Sequence, residues 1–230
     1  MNSTILISST NTEVGKTQVI TALTAYLLKH RDQKELVGLI KLIQTGQGDL
    51  EYYLELFDAQ FKEKRLQIEA PLVFEKPIAT PLAAEYEGKE IDLGYLWQQF
   101  SALSSSSDFV LAEGSGGLGS PITRELTFAD LAASWRIPTI LVAPVELGVI
   151  AQIVANVALA RQKGVNLLGI VLNCTCQLDE EQIADWAPVD LIFGLTQVPI
   201  LGYFPYLENP QDLDALCVAA SGLDLEVIFN

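Results

Sequence analysis

The sequence predicts an α/β protein in which one doubly wound, mostly parallel sheet carries helices on both faces. Six short apolar runs, rich in β-branched residues, alternate with stretches of helical length. The runs are residues 5–7, 37–40, 109–112, 139–143, 168–172 and 199–203. They are apolar almost without interruption, which is typical of strands covered on both faces. Strands that alternate with helices form a parallel sheet, because each helix carries the chain back across it.

Amphipathic stretches between these runs predict the helices. In the first stretch, Ile20, Leu23 and Leu27 recur at the spacing of a helix with one buried face. Residues 127–135 and 150–161 predict a shorter and a longer helix later in the chain.

The other segments have weaker patterns. Residues 46–94 are the least regular, and we expect them to carry active-site loops. Residues 104–107 predict a turn, and residues 224–230 predict an edge strand or a packed terminus. No repeat or linker-like stretch divides the chain, so we expect residues 1–230 to form a single domain.

The charge balance excludes two classes of partner. Acidic residues number 29 and basic residues 14, which gives the 230-residue chain a formal net charge of −15. Such a surface repels phosphate backbones and anionic lipid headgroups, so we expect no nucleic-acid partner and no membrane partner. An anionic small molecule requires a locally positive site.

Cysteine usage and the start of the chain predict a cytoplasmic protein. Cys174, Cys176 and Cys217, with the single His30, do not suggest a disulfide framework, so we expect reduced thiols. The first nine residues lack a basic region before their apolar run, so we expect no signal peptide.

A phosphate-binding loop is predicted where the first strand meets the first helix. Residues 8–17 are Ser-Ser-Thr-Asn-Thr-Glu-Val-Gly-Lys-Thr, and Gly15, Lys16 and Thr17 match the second half of the P-loop pattern. In that pattern backbone N–H groups hold phosphate oxygens, the lysine reaches the terminal phosphates and the threonine completes a Mg²⁺ shell. The strict pattern has glycine in place of Thr10, so an incidental Gly-Lys-Thr is the alternative. The strand–loop–helix context favours a P-loop NTPase type of fold.

Charged residues at the ends of later strands predict the rest of the site. Glu113 follows a strand and precedes a glycine-rich turn, and Asp49 follows the second strand at a short distance. Ligands of open α/β sheets bind beyond the carboxyl ends of the strands, so these carboxylates are candidate Mg²⁺ ligands. Lys41 ends the second strand and is expected to point into the same cleft. The alternatives are two solvated turn carboxylates and a surface lysine.

Asn173, at the end of the fifth strand, bears on the choice of nucleotide. Guanine-specific P-loop proteins usually carry Asn-Lys-x-Asp there, whereas this chain has Asn-Cys-Thr-Cys. Adenine is therefore favoured, with Asn173 bonding to its edge. No further Cys or His cluster completes a zinc site, so we expect Cys174 and Cys176 to be buried or half-buried structural thiols.

Taken together, these motifs resemble the dethiobiotin synthetase family. Residues 9–17 match the family's Gly-Thr-(Asp/Asn)-Thr-x-Val-Gly-Lys-Thr at every position except the first, and residues 113–117 match Glu-Gly-Ala-Gly-Gly. Further similarities follow in the family's order at residues 38–46, 80–84, 127–130, 145–148 and 202–205.

The resemblance implies an ATP-dependent ligase of biotin synthesis. Its substrates would be ATP, CO₂ and 7,8-diaminononanoate, whose amine captures CO₂ as a carbamate. ATP would phosphorylate the carbamate, and the second amine would close a cyclic urea with release of phosphate. Positioning and charge neutralisation would supply most of the catalysis.

The resemblance also implies roles for individual residues. Thr17, Asp49 and Glu113 would hold Mg²⁺. Lys16, Lys41 and Thr12 would be catalytic, and Thr12, Lys41 and Thr45 would contact the diamine, the carbamate and the transferring phosphoryl group. The nucleotide would contact Glu13, Val14, Gly15, Lys16, Thr17, Gln18, Asn173 and Pro205. Gly148, Val149 and Ile150 would hold the far carboxylate of the substrate across a homodimer interface.

Three positions depart from the family pattern. Ser9 replaces a glycine, which is expected to shift the loop if that position needs a positive φ. Leu42 replaces a proline after Lys41, and Ala151 replaces an asparagine expected to contact substrate.

Other functions compete with this interpretation. A partner-coupled switch ATPase of the partitioning or septum-positioning type is the main alternative, but it carries a lysine where this chain has Asn11. A corrinoid amide synthetase would need a further glutamine-hydrolysing domain. A protein that keeps only the fold is the remaining possibility.

Overall fold

A computed structural model describes residues 3–229, and its centre is a seven-stranded parallel sheet with the strand order β4-β2-β6-β1-β7-β8-β9. Two short strands, β3 and β5, pair in parallel as a separate small sheet. The strands are β1 (Ser3–Ser9), β2 (Val37–Lys41), β3 (Ile43–Thr45), β4 (Leu66–Glu69), β5 (Leu72–Phe74), β6 (Phe109–Glu113), β7 (Thr139–Pro144), β8 (Leu167–Asn173) and β9 (Ile200–Phe204).

Eleven helices are found within the described residues. They are α1 (Lys16–His30), α2 (Asp49–Leu56), α3 (Asp58–Lys62), α4 (Thr80–Glu87), α5 (Leu93–Ser106), α6 (Phe128–Trp135), α7 (Val149–Lys163), α8 (Glu180–Trp186), α9 (Val189–Thr196), α10 (Leu213–Ser221) and α11 (Leu225–Phe229).

Helices cover both faces of the sheet, and the predicted fold class is confirmed. One face packs on α1, α10 and α11, and the other on α5, α6 and α7, so the central strands are buried on both sides. All six predicted strands are present, each within one or two residues of its expected ends or slightly longer. None of the described helices is long and apolar enough to span a membrane. The single-domain organisation of residues 1–230 stays a prediction.

One prediction for local structure is wrong, and a second is right in only one of its two alternatives. The expected turn at residues 104–107 is the last turn of α5, which ends only at Ser106 because Leu103 and Phe100 bury the helix against the sheet. The expected edge strand at the carboxyl end is helical, and Ile228 and Phe229 pack into the core, as expected for a packed terminus. Met1, Asn2 and Asn230, to which the predictions for the two ends of the chain extend, lie outside the described residues.

Capping residues explain where the two other predicted helices begin. Thr127 accepts a hydrogen bond from the Asp130 amide while the Asp130 carboxylate accepts from the Thr127 amide, which forms a capping box for α6. Gly148 adopts a left-handed φ of 93° before α7, and Gly164 ends that helix with a φ of 77°.

The strand order places the site. The chain runs from β1 to β2 on one side of the sheet, and it later crosses from β6 past β1 to β7 on the other side. The order of the sheet therefore reverses beside β1. Such a reversal opens a crevice at the carboxyl ends of the strands. In the register of this sheet Glu113 is paired with both Ile7 and Lys41. The ends of β1, β2 and β6 therefore meet beside the start of α1.

Candidate functional site

A cleft of about 760 Å³ lies at this edge of the sheet. One side is formed by the loop that joins β1 to α1, and the strands β2 and β6 contribute Lys41 and Glu113. The segment before α4 and the glycine-rich turn after β6 complete it. The lining residues are Thr12, Glu13, Gly15, Lys16, Thr17, Lys41, Thr45, Asp49, Pro77, Ile78, Ala79, Thr80, Glu113, Ser115, Gly116, Ser120 and Pro121.

The phosphate loop, residues 10–16, has the backbone geometry of an anion site. Glu13 and Gly15 adopt left-handed φ values of 58° and 82° on either side of Val14. Left-handed residues in such a turn build a concave backbone that binds anions. A Cβ on Gly15 would overlap the Asn173 side-chain amide, so glycine is required there by space as well as by φ. The first amides of α1 receive no side-chain cap from Gly15, which leaves them for a ligand.

Ser9 does not distort this loop. It ends β1 without a positive φ, so the expected shift of the backbone does not occur. Its buried hydroxyl lies 2.6 Å from the Asn11 carbonyl and 3.0 Å from the Gly116 carbonyl. The hydroxyl therefore links the phosphate loop to the glycine-rich turn after Glu113.

Lys16 is buried at the base of the phosphate loop and takes part in none of the ion pairs formed within residues 3–229. Burial lowers its pKa, and Lys41 adds to this effect, whereas Glu113 and Asp49 oppose it. A buried ammonium without an ion-pair partner gains most from an anionic ligand.

Four residues, which we call the ion-pair cluster, meet beside the loop: Thr17, Lys41, Asp49 and Glu113. The Lys41 Nζ atom lies 2.5 Å from Asp49 Oδ2 and 3.0 Å from Glu113 Oε1. The Thr17 hydroxyl lies 3.2 Å from Asp49 Oδ1 and 3.1 Å from Glu113 Oε1. Lys41 and Glu113 are buried, so neither is the solvated side chain that the alternative interpretation expected.

The charges at the base of the cleft are balanced once Lys16 is counted with the ion-pair cluster. Burial by itself acts to lower the pKa of Lys41, but the nearby Glu113 and Asp49 outweigh it and raise that pKa above its usual value. With Lys16, the cluster holds two cations and two carboxylates, so these four groups sum to zero in a chain with a net charge of −15. The cleft is thus more favourable to an anion than the rest of the surface.

The donor set of the cluster fits Mg²⁺. Mg²⁺ prefers hard oxygen ligands and is usually bound through one or two carboxylates together with substrate phosphates. Thr17, Asp49 and Glu113 offer one hydroxyl and two carboxylates, and each carboxylate lies within 3.2 Å of the hydroxyl. No group of three or more His, Cys, Asp or Glu side chains that could hold a metal ion is found within residues 3–229.

Sequence reasoning missed several residues of the site. Tyr53 is fully buried and donates a hydrogen bond of 2.5 Å to Glu113 Oε2. Pro77, Ile78 and Ala79 line the cleft opposite the phosphate loop. Thr80, which follows them, belongs to the segment at residues 80–84 that resembles the family pattern. That resemblance was the one sequence feature that could have indicated this side of the cleft. Nothing in the sequence relates Tyr53 to Glu113, because 60 residues separate them.

Four of the predicted nucleotide contacts lie outside this cleft. Val14 is buried behind the loop, and Gln18 lies in the first turn of α1. The buried Asn173 Nδ2 donates to the Val14 carbonyl at 2.8 Å, while its Oδ1 finds no hydrogen-bond partner within the described residues. Pro205 lines a second cavity of about 270 Å³ together with Cys174.

The predicted carboxylate-binding segment is not part of the cleft. Gly148, Val149 and Ile150 are absent from the lining, and Leu147 beside them is 76% exposed. This segment begins α7, which leaves the sheet on the other side of β1.

The prediction that Cys174 and Cys176 are both buried or half-buried is right for Cys174 and wrong for Cys176. Cys174 is buried, as Cys217 also is, but Cys176 is exposed because it follows the strand end in an open turn. The three cysteines are free thiols.

Comparison with known proteins agrees with the geometry. A family profile described as an AAA domain matches residues 3–212. The ATP-dependent dethiobiotin synthetase BioD of Gloeothece citriformis is 54% identical over 225 residues, covering 98% of this chain and 98% of its own. The protein of the same name from Crocosphaera subtropica is 50% identical, covering 99% of this chain and 100% of its own.

Similar solved structures show the fold alone. The cell division ATPase MinD of Pyrococcus furiosus superposes with a TM-score of 0.60 at 16% identity, covering 99% of this chain and 98% of its own. A ParA family ATPase of Chlorobium tepidum has a TM-score of 0.56 at 12% identity, covering 99% and 97%.

Proposed function

The chain belongs to the family of ATP-dependent dethiobiotin synthetases, and from that membership we propose that the cleft beside α1 is where it makes dethiobiotin from 7,8-diaminononanoate, CO₂ and ATP. It is an ATP-dependent enzyme that forms C–N bonds and acts on small molecules. One observation carries the assignment of the site. Thr17, which directly follows the phosphate loop, has its hydroxyl within 3.2 Å of both carboxylates of the ion-pair cluster.

Nucleotide binding is assigned to the phosphate loop. The backbone of residues 12–17 would hold the phosphates, and Lys16 would stabilise the γ-phosphate, which supplies the anion that this buried ammonium lacks. Thr17, Asp49 and Glu113 would hold Mg²⁺, which would neutralise charge on the phosphates when it is bound.

The adenine base is assigned to the second cavity. Asn173 does not line this cavity itself but directly precedes Cys174, which does. Its Nδ2 atom donates to Val14, and its Oδ1, without a partner in the described residues, is an acceptor that suits the amino group of adenine. Pro205 would pack against the base, since it lines this cavity. Gln18, in the first turn of α1, would lie close to the phosphates.

The diamine and its carbamate are assigned to the opposite side of the ion-pair cluster. Thr12, Lys41 and Thr45 all line the cleft and would contact the substrate and the transferring phosphoryl group. Lys41 is held between two carboxylates, so its ammonium is positioned before substrate arrives and can neutralise the negative charge of the carbamate. The chain would act mainly by positioning and by charge neutralisation.

A homodimer completes the proposed site. The far carboxylate of the substrate needs donors, and the amides of Gly148, Val149 and Ile150 at the start of α7 are suited to bind it. They lie outside the cleft of their own subunit, so they would serve the cleft of a second copy. Ala151 is exposed and brings no side-chain amide to that contact. Location in the cytoplasm stays a prediction.

One assay tests the function. The protein is incubated with ATP, Mg²⁺, bicarbonate and 7,8-diaminononanoate, and dethiobiotin is detected by its mass. We expect product in proportion to the phosphate released, and both should require the diamine. Lys62→Met, which changes an exposed lysine paired with Asp58 on α3, is the matched control for Lys16→Met. It should leave the rate of dethiobiotin formation unchanged. ATP hydrolysis that ignores the diamine and yields no dethiobiotin would instead support a switch ATPase.

A further inference from the structure

Helix α2 contributes two side chains to the ion-pair cluster and its surroundings. Asp49 is its first residue and Tyr53 lies four positions later, so the two side chains occupy one face of the helix about one turn apart. Asp49 reaches Lys41 and Thr17, and Tyr53 reaches Glu113. Helix α2 thus supplies one carboxylate of the ion-pair cluster, Asp49, and contacts the other, Glu113, through Tyr53.

The two oxygens of Glu113 have different surroundings. Oε2 accepts the 2.5 Å hydrogen bond from the Tyr53 hydroxyl, while Oε1 faces Lys41 at 3.0 Å and Thr17 at 3.1 Å. Both Tyr53 and Glu113 are fully buried, so no solvent replaces either contact. The phenol therefore occupies one oxygen and leaves the other directed towards the cluster.

Tyr53 is well suited to remain a donor. An ordinary tyrosine keeps its proton at neutral pH, and the buried Tyr53 hydroxyl lies 2.5 Å from Glu113 Oε2. The neighbouring Tyr52 differs sharply, since its hydroxyl donates to the Pro210 carbonyl at 2.7 Å, away from the cleft. The chain thus contains its own control for the loss of one tyrosine hydroxyl from α2.

We propose that Tyr53 is a positioning residue that orients Glu113 as a single-oxygen ligand of the Mg²⁺ ion bound with the nucleotide. The proposal rests on the proposed function, which gives Glu113 that role. Partners of this kind, which orient a metal ligand without touching the metal, typically contribute 10- to 100-fold to metal affinity. Removing the hydroxyl would leave a buried carboxylate free to turn and one of its oxygens without a donor.

The test compares nucleotide affinity with and without Mg²⁺. The dissociation constant of the non-hydrolysable ATP analogue AMPPNP is measured by calorimetry in excess Mg²⁺ and again in excess chelator, and the ratio of the two values is the magnesium effect. For Tyr53→Phe we expect this effect to fall roughly 10-fold. Affinity in chelator should stay within about twofold of the unmodified protein, because the phosphate loop is untouched.

Two further variants separate the possible failures. Tyr52→Phe should behave as the unmodified protein. Glu113→Gln should abolish most of the magnesium effect. Adding Tyr53→Phe to it should change nothing more if the phenol, which also contacts Thr17, acts on the metal through the carboxylate. This double variant has no buried carboxylate at position 113 that lacks a donor, so it remains informative if Tyr53→Phe alone folds poorly.

Each result decides one question. A magnesium effect in Tyr53→Phe equal to that of Tyr52→Phe would overturn the role of Tyr53, and so would a further loss in the Glu113→Gln background. A purely structural role would lower the melting temperature and leave the magnesium effect unchanged. If Glu113→Gln keeps the full effect, the proposed magnesium site itself is wrong.

Discussion

The phosphate loop and the ion-pair cluster adjoin each other, and each contains a buried lysine. The two lysines differ in their ion pairing and in the direction in which their pKa is shifted. Lys16 in the loop has no ion-pair partner within the described residues, and burial lowers its pKa. Lys41 in the cluster is equally buried, yet Asp49 and Glu113 overcome the effect of burial and raise its pKa. An anionic ligand would give Lys16 its first ion-pair partner. Lys41 is already paired with two carboxylates, so a ligand that binds it must compete with them.

The largest expected effect comes from replacing the unpaired lysine. Lys16→Met should raise the activation barrier by about 4 kcal/mol, or roughly 10³-fold in kcat, because a charge aimed at the transferring phosphoryl group is lost. The free energy of unfolding should change by less than about 1 kcal/mol, since no ion pair is broken. Steady-state kinetics and urea unfolding measure the two quantities. Normal turnover by this variant would remove Lys16 from the site.

The same substitution in the cluster should affect stability as well. Lys41→Met leaves Glu113 buried without its cation, which is expected to destabilise the protein by about 3 kcal/mol. For a chain of this length that loss lowers the melting temperature by roughly 6–12 °C. Activity should fall too, because Lys41 is assigned to the carbamate. Equal melting temperatures for the Lys16 and Lys41 variants would erase the contrast between the two regions.

A smaller effect is expected where the loop is joined to the turn after Glu113. Ser9→Ala removes a hydroxyl that lies close to the Asn11 and Gly116 carbonyls, which should cost about 1 kcal/mol of unfolding free energy. Nucleotide affinity should weaken by a few fold, because the loop loses a tether. Ser105→Ala is the control, since that exposed hydroxyl bonds only within α5. No difference between the two variants would show that Ser9 is not a tether.

The smallest effect on the site is expected from an ion pair outside the cleft, which serves as a reference for the buried ion-pair cluster. Asp130 bonds to Lys163 and to Thr127, and these contacts lower its pKa from 3.8 to about 2. Because the folded pKa lies below the unfolded one, this stabilisation is complete above about pH 5 and is lost as the pH falls towards 2.

Asp130→Asn should therefore cost about 1 kcal/mol at pH 7, as expected for a partly exposed pair that also caps a helix. Urea unfolding at several pH values should show the difference from the unmodified protein shrinking below pH 4. Asp58→Asn, whose exposed partner is Lys62, is the control and should have almost no effect. If the difference in the free energy of unfolding between Asp130→Asn and the unmodified protein stays constant as the pH is lowered, the pH dependence does not come from the ionisation of Asp130.

Local patterns in the sequence determined most of the elements that hold the site. The apolar runs predicted six of the seven strands of the main sheet, because strands covered on both faces tolerate few polar residues. Gly15, Lys16 and Thr17 located the phosphate loop, since its backbone conformation and the helix start depend on adjacent residues. The short strands β3, β4 and β5 escaped prediction because their runs of three or four residues carry no distinct period.

The contacts within the site were decided only by the tertiary structure. Sequence reasoning placed Lys41, Asp49 and Glu113 at one edge of the sheet but could not say that the lysine bridges both carboxylates. It also missed Tyr53, and it could not show that Asn173 packs against Gly15. These pairs are separated by between 8 and about 160 residues. Their distances depend on strand register and on how α2 packs, which no local pattern records.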